Sequence, residues 1–285
     1  LREAGRTGTV HFAAPGELAR VARKAAEQAR SDGSAVVAVG GDGTINTVAQ
    51  AAHAQGCAMG VVPRGTFNYF ARTHGVPADI GEAARQLMRW KPQAVQVAAV
   101  NDRVFLVNAS LGMYPDLLED REAYKARFGR SQWVAFWAAS ATLLRAQRRL
   151  HLQIEEGTSV RHVRALTLFV GNNRLQLEQL GLLARPDDGS DPALAHEQGH
   201  ITAVMLRPIG TLAMMRLMLR GALGTLGEAP SVERFEFKRM RVKPARTPGR
   251  RSVKVAFDGE VTRMRAPLEF RVLAQPLYLL KPGPG

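Results

Sequence analysis

Cys57 is the only cysteine, so the chain makes no internal disulfide and no thiolate metal cluster, and a reducing compartment suits it. Aromatic residues are scarce at 6%. They are not interleaved with basic residues in the way that builds single-strand stacking platforms, which argues against nucleic acid as a partner. No apolar run reaches the roughly 18 residues of a membrane-spanning helix. No signal peptide opens the chain, yet it starts at Leu1 rather than Met, so an upstream piece is expected to be missing. There is no internal repeat and no low-complexity tract beyond the Pro/Gly tail at Lys281 to Gly285. Acidic residues are outnumbered, 25 against 39 Lys and Arg, for a net charge of +14. The balance points to an anionic partner: phosphate-bearing substrates or an acidic membrane surface. With 285 residues, 46% of them apolar, the chain is long enough for two domains and a full core.

What is present is concentrated in Gly40-Gly41-Asp42-Gly43-Thr44-Ile45-Asn46, which leaves the apolar run Ala35 to Val39. The run suits a buried parallel strand. Three glycines within four residues permit positive φ and let backbone N–H groups approach an anion. Thr47 to Ala54 reads as the following helix, its N-terminus facing the same point. Asp42 would repel phosphate unless a divalent cation intervenes, so it implies Mg²⁺ as well. A Walker A loop is ruled out because no lysine lies between Lys24 and Lys91. The dinucleotide fingerprint also fails, since the next glycine after Gly43 is Gly56. The plainer reading is a tight strand-to-helix turn with Asp42 as N-cap.

Around this loop, Glu17 to Arg30 reads as a helix with a stripe of Leu18, Val21, Ala25 and Ala29. Met59 to Val62 reads as a strand, Arg72 closes a helical turn, and Gly81 to Trp90 reads as another helix. Strand, loop and helix repeat as in an α/β sheet with its site at the strands' C-terminal ends. From Ala94 onward strand-like runs dominate, interrupted by helical stretches at Arg130 to Gln147 and Gly210 to Leu223. The expected architecture is α/β plus mostly-β: an α/β nucleotide-binding domain over 1–95 and a β-rich domain over 96–285, with the last residues free to return to the first. The cleft between the two is the default site.

Two further motifs carry chemistry. Pro63-Arg64-Gly65-Thr66-Phe67-Asn68 is a second glycine turn, and two such loops could surround one triphosphate. Phe257-Asp258-Gly259-Glu260 leaves a strand with two carboxylates that suit a general base and its partner, although an Asp-Gly hairpin is the commoner meaning. His196-Glu197-Gln198-Gly199-His200 spells a zincin-like His-Glu-x-x-His, but Gly199 weakens the helix it needs and Ile201 to Leu206 reads as a strand.

In this order the motifs resemble the diacylglycerol kinase catalytic family of lipid kinases, particularly its bacterial soluble branch. Asn108-Ala109-Ser110-Leu111-Gly112, Gly171-Asn172-Asn173 and Ala266-Pro267-Leu268-Glu269-Phe270 extend the likeness over nearly the whole chain. The resemblance implies an α/β nucleotide domain, a β-sandwich-like lipid domain, and transfer of phosphate from ATP, with Mg²⁺, to a lipid hydroxyl. By resemblance Gly40, Gly41, Asp42, Gly43, Thr44, Ile45 and Asn46 lie at the ATP phosphates, with Gly65, Thr66 and Asn68 beside the nucleotide and Asp42 as the metal-linked carboxylate. Glu260 matches the proton acceptor, and Asp258 is placed as its partner or as a metal-shell group. The family's opening strand and phosphate loop would precede Leu1. Tyr69 stands where Asp is common, and Gln198 stands where relatives carry an Asp that helps to bind a structural Mg²⁺ in the second domain.

The resemblance further implies a cytoplasmic protein peripherally associated with a membrane, anionic lipids included, with a homodimer as one option. Trp133, Phe136 and Trp137 share a helical face near Arg145, Arg148 and Arg149, a pattern that suits an anionic bilayer or an ordinary core helix equally. The basic run Lys238, Arg239, Arg241, Lys243, Arg246, Arg250 and Arg251 reads as a solvated face, with membrane contact as its functional alternative. The competing functions are a kinase of another substrate (a sphingoid base, phosphatidylglycerol or NAD) and a non-catalytic lipid-binding relative.

Overall fold

The computed structural model describes residues 7–14, 16–113, 149–172, 199–210, 229–245 and 252–283, with a few isolated positions besides. The aromatic face at Trp133 to Trp137, the residues His196 to Gln198, and most of the Gly210 to Leu223 stretch lie outside the described residues. Chain order runs α1 (Leu18–Ser31), β1 (Ala35–Gly40), α2 (Asp42–Gln55), β2 (Ala58–Pro63), α3 (Tyr69–Thr73), α4 (Ile80–Leu87) and β3 (Lys91–Val95). It continues with β4 (Ala98–Val100), β5 (Arg103–Phe105), β6 (Asn108–Gly112), β7 (Leu150–Glu156), β8 (Ser159–Ala165), β9 (Thr167–Gly171) and β10 (Ile201–Leu206). The last strands are β11 (Val232–Phe237), β12 (Arg239–Pro244), β13 (Ser252–Phe257), β14 (Glu260–Arg265), β15 (Leu268–Val272) and β16 (Leu277–Lys281).

Among the described residues two compact units result, one taking those up to Val97 and again from Leu273, the other the described residues between. The first is an α/β unit with the sheet order β1-β2-β16-β3. β1 and β2 run parallel, as a strand–helix–strand crossover requires, and β16 adds parallel to β2 from the far end of the sequence. In α1 the buried stripe is Ala22, Ala26 and Ala29, one position round from the expected one; Leu18, Val21 and Ala25 flank it half-buried. Gly33 ends this helix region with φ of 63°, and Asp79 caps α4 by accepting the Glu82 N–H at 2.7 Å. The last helix stops at Leu87 rather than Trp90, and β3 begins at Lys91.

The second unit is mostly β. Its two six-stranded sheets have the orders β11-β10-β9-β6-β13-β14 and β5-β4-β15-β12-β7-β8. Inward side chains of both, among them Leu111, Leu168, Ile201 and Phe237 from one and Ile154, Met240, Val242 and Phe270 from the other, form one core. Alternation along each antiparallel strand produces this arrangement, apolar to the core and polar outward. β12, inside the basic run, and β6 and β14 fall almost wholly outside the strand-like runs legible in the sequence.

Candidate functional site

The first glycine loop is the start of a helix, not a turn that precedes one. α2 begins at Asp42, five residues before the expected Thr47, with Gly41 as N-cap and the Ile45 N–H donating to Gly41 O at 3.0 Å. None of Gly40, Gly41, Gly43 or Gly65 has positive φ. The reason for glycine here is close approach. A Cβ on Gly65 would stand 3.0 Å from Gly41 Cα and 2.7 Å from Asn68 Oδ1, and one on Gly40 would stand 2.7 Å from Thr44 Cβ.

The two loops are thereby zipped together within the first unit. Arg64 N–H donates to Gly40 O at 2.8 Å, and Asn68 N–H donates to Asp42 Oδ2 at 3.2 Å. Asn68, held in the left-handed region at φ of 49°, closes its own loop reciprocally. It accepts the Gly65 N–H at Oδ1 and donates from Nδ2 to Gly65 O, both at 2.9 Å. The Asn68 side chain thus shapes the loop. Thr66 is exposed at the crest, beside Phe67 stacked on Tyr69 at 5.6 Å.

Of the expected nucleotide contacts, two turn inward. Ile45 is fully buried, and Asn46 is buried with its Oδ1 accepting from Gln50 Nε2 at 3.1 Å. Helical periodicity explains this, because positions 45, 48, 49 and 52 form the face that α2 buries. What the loop leaves for an anion is backbone: the first N–H groups of a helix have no intrahelical acceptor and carry its positive dipole end.

Asp42 is the electrostatic centre. Its Oδ1 is buried without a hydrogen-bond partner, and burial raises the carboxyl above its ordinary value of 3.8 although the Asn68 and Tyr69 N–H groups pull it down. An orphaned carboxylate oxygen beside an anion cradle fits a divalent cation shared with phosphate oxygens, since Mg²⁺ ordinarily takes one or two protein carboxylates and keeps the rest of its shell in water and phosphate. Among the described residues no group of three or more His, Cys, Asp or Glu gathers into an all-protein metal cage.

The expected carboxylate pair of the second unit is separated by its hairpin. Asp258 and Gly259, at φ of 44° and 88°, form a two-residue turn of the type I′ kind that joins β13 to β14. Asp258 is buried, and its carboxylate accepts three backbone N–H groups: Leu106 at 2.7 Å, Val107 at 2.9 Å and Asn108 at 2.9 Å. Its own N–H donates to Asn108 O at 2.9 Å. The residue expected as Glu260's partner or as a metal-shell group thus has both carboxylate oxygens accepting backbone N–H groups. Glu260 is exposed beyond the turn, with no side-chain hydrogen bond to another described residue.

Sequence reasoning did not find the knot around Asp258. Buried Asn172 donates from Nδ2 to Leu106 O at 3.1 Å and from its backbone to Val107 O at 2.8 Å. Strands β9, β6 and β13 are neighbours, so Gly171-Asn172, Asn108 to Gly112 and Phe257 to Glu260 meet at one place. The available signal was polar residues at the ends of otherwise apolar strands.

The sequence profile described as diacylglycerol kinase catalytic domain matches residues 1–100. "Probable lipid kinase YegS-like" of Enterobacter sp. (strain 638) is 31% identical over 145 residues, 49% of this chain and 48% of that protein. The uncharacterized protein sll0036 of Synechocystis sp. is 32% identical over 157 residues, 53% of this chain and 35% of its own length. The matched stretch thus spans half or less of these curated relatives. A crystal structure of a diacylglycerol kinase from Bacillus anthracis str. Sterne shares the fold at a TM-score of 0.62 and 18% identity, covering 96% of this chain and 84% of that one. The likeness to the diacylglycerol kinase catalytic domain is thus carried by residues 1–100, about a third of the chain.

Proposed function

We propose that the protein is an ATP-dependent lipid kinase that transfers the γ-phosphate to a lipid hydroxyl, with diacylglycerol as acceptor and phosphatidic acid as product. The observation that carries this reading is the pair of zipped glycine loops at the N-terminus of α2, which leaves Asp42 Oδ1 buried and unpartnered. That loop pair lies inside the stretch that matches the kinase family model, and one relative named above carries the name probable lipid kinase.

In this reading the backbone N–H groups at the start of α2 bind the donor's phosphates, and Asp42 offers Oδ1 to the cation that accompanies them. Mg²⁺, when bound, neutralises charge that builds on the phosphate oxygens. Exposed Thr66 and the Phe67–Tyr69 stack flank the nucleotide. Glu260 accepts the proton of the lipid hydroxyl as its oxygen forms the new bond to the γ-phosphorus, while the bond from that phosphorus to the bridging β–γ oxygen breaks and ADP leaves. Asp258 holds the hairpin that carries Glu260 and takes no proton. Phosphoryl transfer depends on positioning and charge neutralisation, so a single well-placed carboxylate suffices.

Among the described residues no helix is long and apolar enough to cross a membrane. A lipid acceptor would then be reached at a bilayer surface. The test is an acceptor panel: full-length protein with γ-labelled ATP and Mg²⁺, offered vesicles of diacylglycerol, a sphingoid base or phosphatidylglycerol, or NAD in solution. Label in phosphatidic acid is the expected outcome. Label only in NAD would replace the lipid with a soluble acceptor, and label nowhere would leave a lipid-binding relative without activity.

A further inference from the structure

Strands β15, β12, β7 and β8 lie side by side, and their register decides which side chains share a face. Arg239 stands opposite Arg271, Arg241 opposite both Glu269 and Glu155, and His151 opposite Arg164. Lys243, two residues along from Arg241, belongs to the same side. The other side of these strands, with Met240, Val242, Phe270 and Ile154, is the core of the unit. Arg239, Arg241 and Lys243 of the basic run, with Arg271 and Arg164, therefore share one sheet face with Glu269 and Glu155.

The carboxylates are recessed beneath the cations. Glu269 takes Arg239 at 2.5 Å and Arg271 at 3.3 Å, with Arg241 at 3.9 Å, and Glu155 takes Lys243 at 2.6 Å. The side chains of Glu269 and Glu155 are 21% and 22% exposed, whereas those of Arg239, Arg241 and Lys243 are 68%, 47% and 40% exposed. Both acids are spent on ion pairs under a layer of positive charge, so the face shows solvent a positive plane. At its β8 end the layer meets an open cavity of about 490 Å³ whose wall includes Arg149, Arg164, and Arg207 paired with Glu233 at 3.0 Å.

We propose that this face of the second unit is the contact with an anionic lipid bilayer. Charge complementarity selects the class of partner: cations that stand more exposed than the two acids they pair meet anionic headgroups. The Phe of these strands, Phe270, is in the core, so the face presents no Phe, Tyr or Trp ring for base stacking. Such adhesion is electrostatic, reversible and screened by salt. It requires no phosphoryl transfer, so it stands or falls apart from the proposed reaction.

The experiment is vesicle cosedimentation of the full chain without ATP, using phosphatidylcholine alone and phosphatidylcholine with phosphatidylglycerol. Binding is expected only to the anionic vesicles and is expected to fall as salt rises. The triple variant Arg239→Gln, Arg241→Gln, Lys243→Gln should lose roughly 100-fold in affinity. A control that removes equal charge from exposed positions of the first unit, Arg23→Gln, Lys24→Gln, Arg85→Gln, should stay within a few-fold of the parent. If the first triple variant does not fold, the single Arg239→Gln, at the most exposed of the three, should still weaken binding several-fold. Equal losses in the two triples would reduce the effect to net charge and overturn the assignment, as would binding insensitive to salt. A face variant that loses RNA binding while keeping vesicle binding would make the face a nucleic-acid surface instead.

Discussion

Asp42 and Asp258 look alike in sequence, each an acid beside glycine, and folding gives them opposite tasks. Asp42 keeps one oxygen without a partner, and burial raises its carboxyl. A raised carboxyl favours the folded state when protonated: that contribution is fully present below 3.8 and is lost as pH rises through the raised folded value. Asp42→Asn should therefore melt at a higher temperature than the parent at pH 7, with the gain disappearing below pH 3.8, while phosphoryl transfer falls by about 100-fold or more; thermal melts across pH, paired with a kinase assay, check both. Asp258→Ala strands three buried N–H groups and should cost about 3 kcal/mol or more in a denaturant titration. Glu260→Gln should leave stability within about 0.5 kcal/mol, since an exposed side chain is changed, yet lose activity. Sequence proximity suggested one carboxylate pair over 258–260, and the I′ turn divides it into a buried acceptor and an exposed acid. Nothing in the composition of that turn announces Leu106, Val107 and Asn108 as its partners, because the pairing is set some 150 residues away.

At the level of elements, strands β1 and β2 were legible because apolar runs and glycine punctuation dominate there. The start of α2 was not. Three glycines argued for an irregular turn, whereas tertiary contact between Gly41 and Gly65 lets the helix begin inside the motif. Gly65→Ala tests this directly. Its Cβ would meet backbone at Gly41 and the Asn68 amide that closes the loop, so a loss of about 1 to 3 kcal/mol is expected from overpacking. ATP-analogue affinity should weaken as well, measured by a thermal shift with and without the analogue. Strand β12 escaped notice because Arg239, Arg241 and Lys243 dominate its appearance, though Met240 and Val242 between them carry the period of two that marks a half-buried strand. β14 was masked in the same way by Glu260, Arg263 and Arg265.

For the whole molecule, an α/β unit and a β-sandwich unit each have a physical origin in the sequence. Parallel strands linked through helices build the first, and alternating antiparallel strands build the second. The entry of β16 into the first sheet depends on a pairing with β2 and β3 across most of the chain, which periodicity alone does not specify. The proposed function rests on a few groups of this frame: the backbone at the start of α2, one oxygen of Asp42, and the exposed Glu260. The most direct measurement is transfer of label from γ-labelled Mg·ATP to diacylglycerol in anionic vesicles by the full-length protein, by Asp42→Asn and by Glu260→Gln. The account predicts labelled phosphatidic acid from the parent and about 100-fold less or lower from each folded variant; label that persists undiminished in both variants would contradict it.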